Sequence, residues 1–170
     1  MTEIENNFIN KEVEKILINE LREKTRYNIF SNNDIKKITN NNLSTINLLF
    51  ETEETIICFY INYTDIKNTT TELTMFINSV KEINKLDKLK KKCYGIYLSK
   101  NEPITSCKSL FNKENANLTK NGIKFITLYN INNDANNLNN LNNTIRRLQL
   151  KLHMLGIFYS EPDGTIIMST

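Results

Sequence analysis

The chain has 170 residues and a formal charge of +3 at pH 7, enough length for one domain, or one domain with a small appendage, around a real core. Charges of both signs are interspersed, and +3 is too mild for the field that phosphate-neutralising proteins use, so nucleic acid is an option the composition does not demand. Asparagine occurs 29 times, isoleucine 23 and alanine twice, an imbalance that fits A+T-rich coding such as that of a large DNA virus, a protist or a low-GC bacterium.

Val13, Ile16, Leu17 and Leu21 recur at helical spacing and predict a first helix over about Lys11 to Lys24, with Asn10 as its cap. Met1 to Asn7 is acidic and polar, unlike a secretory signal, and no apolar run approaches the roughly 20 residues of a spanning helix. Tyr27, Ile29 and Phe30 read as core anchors. Ser31 or Asn32 then caps a short helix around Asp34 to Ile38, which the run Asn40 to Asn42 breaks.

From Thr45 to Tyr63 the pattern turns to β-branched and aromatic runs, INLLF and TIICFYINY, about a charged turn at Glu51 to Glu54, and predicts a hairpin. Its second strand is apolar on both faces, which suits a central position. Thr70 or Thr71 caps a helix to about Leu86, with Leu73, Phe76, Ile77, Val80 and Ile83 on one stripe. Lys85 to Lys92 is a basic connector. Cys93 to Leu98 is a strand, Thr105 to about Phe111 a short helix with a threonine cap, and Ile123 to Tyr129 another strand. Two strand-helix-strand steps predict a mixed or parallel α/β sheet flanked by helices.

Asn130 to Asn143 reads as a flexible asparagine-rich linker. Residues 8–130 then form the main domain, 131–143 the linker and 144–170 a small carboxy-terminal element. That element comprises a helix over Thr144 to Leu155, stopped by Gly156, and a hairpin of Ile157 to Tyr159 and Thr165 to Met168. Ile157, Phe158, Ile166 and Ile167 are more apolar material than an isolated hairpin covers, so it is expected to dock on a partner through Ile157, Phe158, Ser160, Glu161, Gly164 and Ile166.

The order helix, hairpin, helix, strand, helix, strand is compatible with a restriction-endonuclease-like core, whose chemistry needs two acids and a lysine around Mg²⁺. The strand that should carry acid-x-Lys reads Cys58-Phe59-Tyr60-Ile61-Asn62, and Asp65-Ile66-Lys67 matches the triplet only past the strand's end. Asp34, Asp65 and Lys67 are the residues a nuclease reading would use; the expectation is that no catalytic or metal site forms and that no cofactor is bound. The lone His153 has no acidic or nucleophilic partner in sequence. Cys58, Cys93 and Cys107 lack metal-ligand spacing and read as reduced, structural thiols of a cytosol-like compartment. Lys90, Lys91, Lys92, Arg146 and Arg147 are candidate phosphate contacts, although a solvated charge run explains the lysines as well.

Arg26-Tyr27 followed by Ile29 and Ser31, then Gly95-Ile96-Tyr97-Leu98 leading to Thr105-Ser106, Lys108 and Ser109-Leu110, resemble the fifth common subunit of eukaryotic nuclear RNA polymerases. The turn with Ser160-Glu161 and Gly164 is similar to the Ser-Glu-x-x-Gly turn of that family's assembly domain, which has a counterpart in archaeal RNA polymerases. The resemblance covers roughly residues 8 to 130 and the closing hairpin, while the family has a longer docking segment between Asn130 and Gly156. It implies a nuclease-like fold without nuclease chemistry, docking on the largest polymerase subunit, reach toward downstream DNA, and a place in nucleus, cytoplasm or, for a viral version, virion or viral factory. A Mg²⁺-dependent nuclease-like protein and a viral structural or host-interaction protein are the alternative readings.

Overall fold

The computed structural model describes residues 3–22, 28–117, 122–129 and 137–155. The elements are α1 (Glu3–Arg22), β1 (Asn28–Ser31), α2 (Asn32–Thr39), β2 (Leu48–Glu51), β3 (Thr55–Asn62), α3 (Thr70–Leu86), β4 (Lys92–Ser99), α4 (Thr105–Ala116), β5 (Ile123–Tyr129) and α5 (Asn137–Met154). The strands lie side by side in chain order. β1, β2 and β3 form an antiparallel meander, with Leu48 opposite both Ser31 and Phe59. β3, β4 and β5 run parallel, with Asn62 opposite Ser99 and Ser99 opposite Tyr129. The fold is the mixed, helix-flanked α/β sheet that the strand-helix-strand pattern predicts.

Strand alternation builds two apolar layers, because successive side chains leave opposite faces. Ile57, Phe59 and Ile61 of β3 pack with Val13 and Leu17 of α1 and with Leu141, Ile145, Leu148 and Leu152 of α5. Ile56 and Cys58 point the other way, to Ile35 of α2, Phe76 and Val80 of α3, and Phe111 of α4. β3 is therefore covered on both sides, as its continuous apolar run predicts. In the second layer Phe125 stacks near Phe111 at 5.3 Å and meets Phe76 edge-on at 6.4 Å. Gly95 lies beneath that ring: a Cβ there would sit 2.6 Å from Phe125 Cδ1.

Caps set several boundaries. Ser31 closes a capping box with Asp34 at the start of α2, and Asn40 ends that helix in the left-handed conformation at φ 53°. Thr69, one residue before the expected caps, forms the same box with Glu72 at the start of α3. α4 departs from expectation: Ile104 occupies its cap position without a side-chain bond, Thr105 lies inside the helix, and the helix continues to Ala116. Its last turn is held by Asn115, whose amide exchanges two bonds with the Phe125 backbone, at 2.8 and 2.7 Å.

Three further corrections come from tertiary contacts. α1 begins at Glu3, so Asn10 is no cap; its Oδ1 accepts the Tyr63 N–H at 2.8 Å and ties the helix to the end of β3. β1 is a strand where only core anchors were expected, because a four-residue edge strand carries too little alternation to show. α5 begins at Asn137, so half of the expected linker is helical. Its leucines and isoleucine complete the same layer as α1, which makes this helix part of the main body rather than an appendage.

Glu14 is the acid in this layer, its side chain 9% exposed and 3.2 Å from Lys11 Nζ. Burial raises its carboxyl above the ordinary range, against a smaller lowering by Lys11. A carboxyl whose folded value lies above its unfolded value favours folding while protonated, and that advantage is lost as pH rises through the folded value. Glu14→Gln is expected to raise the thermal midpoint at neutral pH, with the gain disappearing below about pH 4, where the unfolded glutamate is also protonated. A midpoint lowered at neutral pH in calorimetric scans would count against this account.

Candidate functional site

In open α/β sheets ligands sit beyond the carboxyl ends of the parallel strands. Here β3 is the first of the three parallel strands, antiparallel to β2 and parallel to β4. Its last residue, Asn62, is buried and donates from Nδ2 to Asn68 Oδ1 at 2.7 Å and to the Ile66 carbonyl at 2.6 Å. Thr64 donates to Asn62 Oδ1 at 2.6 Å. Tyr97, reaching across from β4, donates its hydroxyl to Asn68 Oδ1. The other side of the Asn68 amide donates to Tyr60 Oη at 3.0 Å and to Glu72 Oε2 at 2.9 Å. Both hydrogens of that amide thus have acceptors, and the bonds fix its orientation.

Burial dominates the electrostatics of this group. It pushes the Tyr97 hydroxyl up to about 12 and the Tyr60 hydroxyl higher still, with the Glu72 charge adding to both. Burial alone would raise Glu72, but the Thr69 backbone N–H, the Asn68 amide and the Thr69 and Tyr60 hydroxyls together bring it below its usual range. Cys107 lies against the same cluster, its Sγ 3.7 Å from the Asn68 carbonyl, and burial with the Glu72 charge raises its thiol. At neutral pH the tyrosines and Cys107 stay protonated and Glu72 stays charged. The cluster holds no activated nucleophile or base of intermediate strength; it acts as a hydrogen-bonded plug over the strand ends.

An exposed rim surrounds the plug. Asp65 takes bonds from Asn101 at 3.1 Å and Lys100 at 3.4 Å, and these hold its carboxyl below the ordinary range. Glu102 accepts from Lys108 at 3.2 Å and from Tyr129 Oη at 3.0 Å. Arg147 of α5 stands over the Tyr129 ring, 5.8 Å from its centroid, and donates to the Tyr129 carbonyl, clamping α5 to the end of β5.

The residues singled out from sequence do not converge. Asp34 is engaged by the Ser31 N–H at 3.1 Å in its capping box, on the far side of β2 from β3. Asp65 is bound by Lys100 and Asn101, and Lys67 is exposed on the β3–α3 connection. Among the described residues no three His, Cys, Asp or Glu side chains gather as metal ligands. Lys91 bridges Glu51 at 3.1 Å and donates to the Thr52 carbonyl at 2.8 Å, pinning the hairpin turn to the start of β4. Lys90, in the left-handed conformation at φ 52°, and Lys92 lie exposed at that same end of the sheet. Arg146 and Arg147 stand on α5, and Arg147 meets the opposite end of the sheet, so the five cations do not make one phosphate-binding stripe. His153 is half-buried on α5. Ile157, Phe158, Ser160, Glu161, Gly164 and Ile166 lie outside the described residues, as do Arg26 and Tyr27.

Sequence reading missed Asn62, Asn68, Tyr60 and Tyr97. Their signal was available in part: Asn62 is polar at the end of an otherwise apolar central strand, a position that asks for a partner once buried. The site thus belongs to an α/β domain in which the carboxyl end of β3 is closed by amides and phenols. No family, curated protein or solved structure matches the chain.

Proposed function

We propose that the chain is a non-catalytic subunit of a multisubunit DNA-dependent RNA polymerase, docking on the largest subunit and supporting DNA near its entry to the enzyme. The observation that carries this reading is the closed end of β3. The strand that a nuclease reading would arm with acid-x-Lys ends instead in Asn62, hydrogen-bonded to Asn68, which also accepts from Tyr97. The resemblance of Gly95 to Leu98 and of Thr105 to Leu110 supports it further, since these segments occupy β4 and α4, two elements joined by one short turn. No cofactor enters the proposal, and direct DNA contact is a weak, secondary part of it.

Tagged full-length chain isolated from native extract should bring down polymerase large subunits in stoichiometric amount. Capsid or host proteins in their place would refute the proposal. Removal of residues 156–170 should abolish that association while leaving the thermal midpoint little changed. Association that survives the deletion would overturn the assignment of docking to Ile157, Phe158 and Ile166.

The purified chain is also expected to leave DNA uncut with Mg²⁺ or Mn²⁺, because Asp65 is engaged by Lys100 and Asn101, and no three His, Cys, Asp or Glu side chains gather as metal ligands among the described residues. DNA cleavage that disappears in Asp65→Ala would restore the nuclease reading.

A further inference from the structure

Beyond the end of β3, the first turns of α1 and the start of α3 border an open cleft of about 390 Å³, with Asn62 and Asn68 of the plug in its wall. That volume falls in the range of about 300–1,000 Å³ that holds small molecules. The carboxyl end of a parallel strand is also where open α/β sheets bind them.

Amides dominate the lining. Asn10 and Asn47 each spend Oδ1 on a backbone N–H, of Tyr63 at 2.8 Å and of Ile61 at 2.6 Å, which fixes both amides and leaves Nδ2 to donate. Asn7 lines the same cleft and is exposed. Asn6, also in the lining, is the informative residue: it is 7% exposed, yet neither its Oδ1 nor its Nδ2 has a hydrogen-bond partner among the described residues. A buried amide left unpaired is unfavourable. One donor and one acceptor therefore stand in the wall of the cleft for a ligand to satisfy.

The rest of the lining restricts that ligand. No lysine, arginine or histidine belongs to it among the described residues, while Glu3 and Glu72 do, so a phosphate or carboxylate would meet repulsion without a counter-charge. Tyr60, the aromatic residue of the described lining, packs its ring with Phe76 and Tyr97 at centroid distances of 5.5 and 5.6 Å. It is committed to the core and is a poor platform for a stacked base. Hydroxyl groups both donate and accept, and neighbouring hydroxyls on a sugar ring match the paired N–H and C=O groups of amides.

We propose that this cleft binds a small uncharged polyhydroxy ligand, a sugar unit, whose hydroxyls pair with the amides of Asn6, Asn7, Asn10 and Asn47. The proposal does not rest on the polymerase reading. Titration of the isotope-labelled full-length chain with glucose, galactose, mannose, ribose and N-acetylglucosamine tests it, with the phosphate ester of each binder, adenine and uracil as comparisons. At least one sugar should give saturable shifts of the side-chain amide resonances of Asn7, Asn10 and Asn47. Its phosphate ester should bind at least tenfold less tightly.

Asn6→Leu separates a ligand role from a structural one: it should keep or raise the thermal midpoint, since an unpaired amide is removed, and weaken the sugar at least tenfold. Asn7→Ala, at an exposed side chain, should weaken it severalfold with the midpoint unchanged. Absence of saturable shifts with every sugar at about 50 mM, far above a millimolar Kd, would overturn the proposal. So would tighter binding of the phosphate esters or free bases, or undiminished binding to Asn6→Leu. A lowered midpoint in Asn6→Leu would overturn it as well, because the amide would then be satisfied inside the fold.

Discussion

Gly95→Ala is expected to destabilise the chain by about 2–3 kcal/mol, in the upper range for an overpacked core, and to lower the thermal midpoint by roughly 5–10 °C. The added methyl would lie 2.6 and 2.7 Å from two ring carbons of Phe125 and 3.4 Å from Val80 Cγ2. The ring has nowhere to go: Phe76 and Phe111 flank it, and the Phe125 backbone is held by Asn115. Shrinking the ring should therefore relieve the clash, so Gly95→Ala combined with Phe125→Leu should cost less than the sum of the two single changes. Denaturant melts of the four chains measure this coupling. A Gly95→Ala midpoint equal to that of the parent, or strict additivity in the cycle, would show that β4 has more room than its neighbours indicate.

The second large effect concerns α5. Leu148 and Leu152 are fully buried between this helix and the sheet, so Leu148→Ala should cost about 2–5 kcal/mol, the usual range for an emptied leucine site. A chain ended after Tyr129 should fail to fold, because Leu48, Phe59 and Ile96 would lose the cover that α5 shares with α1. If the truncated chain instead melts cooperatively near the parent midpoint, α5 is dispensable and is an appendage after all.

The same helix shows where the sequence is legible. β3, β4, β5 and α3 stand out because each carries a long apolar run or stripe. α5 carries one too: Leu138, Leu141, Ile145, Leu148 and Leu152 alternate at spacings of three and four. The asparagines between them conceal it, since composition signals a linker while periodicity signals a helix, and burial of Leu141, Ile145, Leu148 and Leu152 outweighs the weak propensity of asparagine. Asn10 misleads for a related reason. Asparagine is a favoured cap, but this one serves a strand end 53 residues away, a partner that only the tertiary fold supplies.

The plug at the end of β3 was out of reach in the same way. Asn62 and Asn68 are two asparagines among 29, and nothing local distinguishes them from those on the surface. Tyr97 joins them only because β4 pairs with β3 in parallel register, 35 residues further along the chain. The missing nuclease triplet was legible by contrast, since acid-x-Lys is a local pattern and its absence from β3 can be read directly.

The order of the strands also bears on how the chain reaches this state. β2 and β3 close through the short turn at residues 52–54, whereas β1 meets β2 across α2, and Thr55 must find Lys92, and Cys93 must find Ile123, across the longer helices α3 and α4. Contacts distant along the chain form later, because loop closure costs entropy before those contacts can repay it. During synthesis β3 therefore emerges with its β2 partner but with a bare second edge until β4 arrives, and TIICFYIN carries no charge to discourage pairing with another chain. Slow refolding at high protein concentration, with aggregates seeded by this one strand, is the kinetic counterpart of the central position that makes β3 the best-covered strand of the finished sheet.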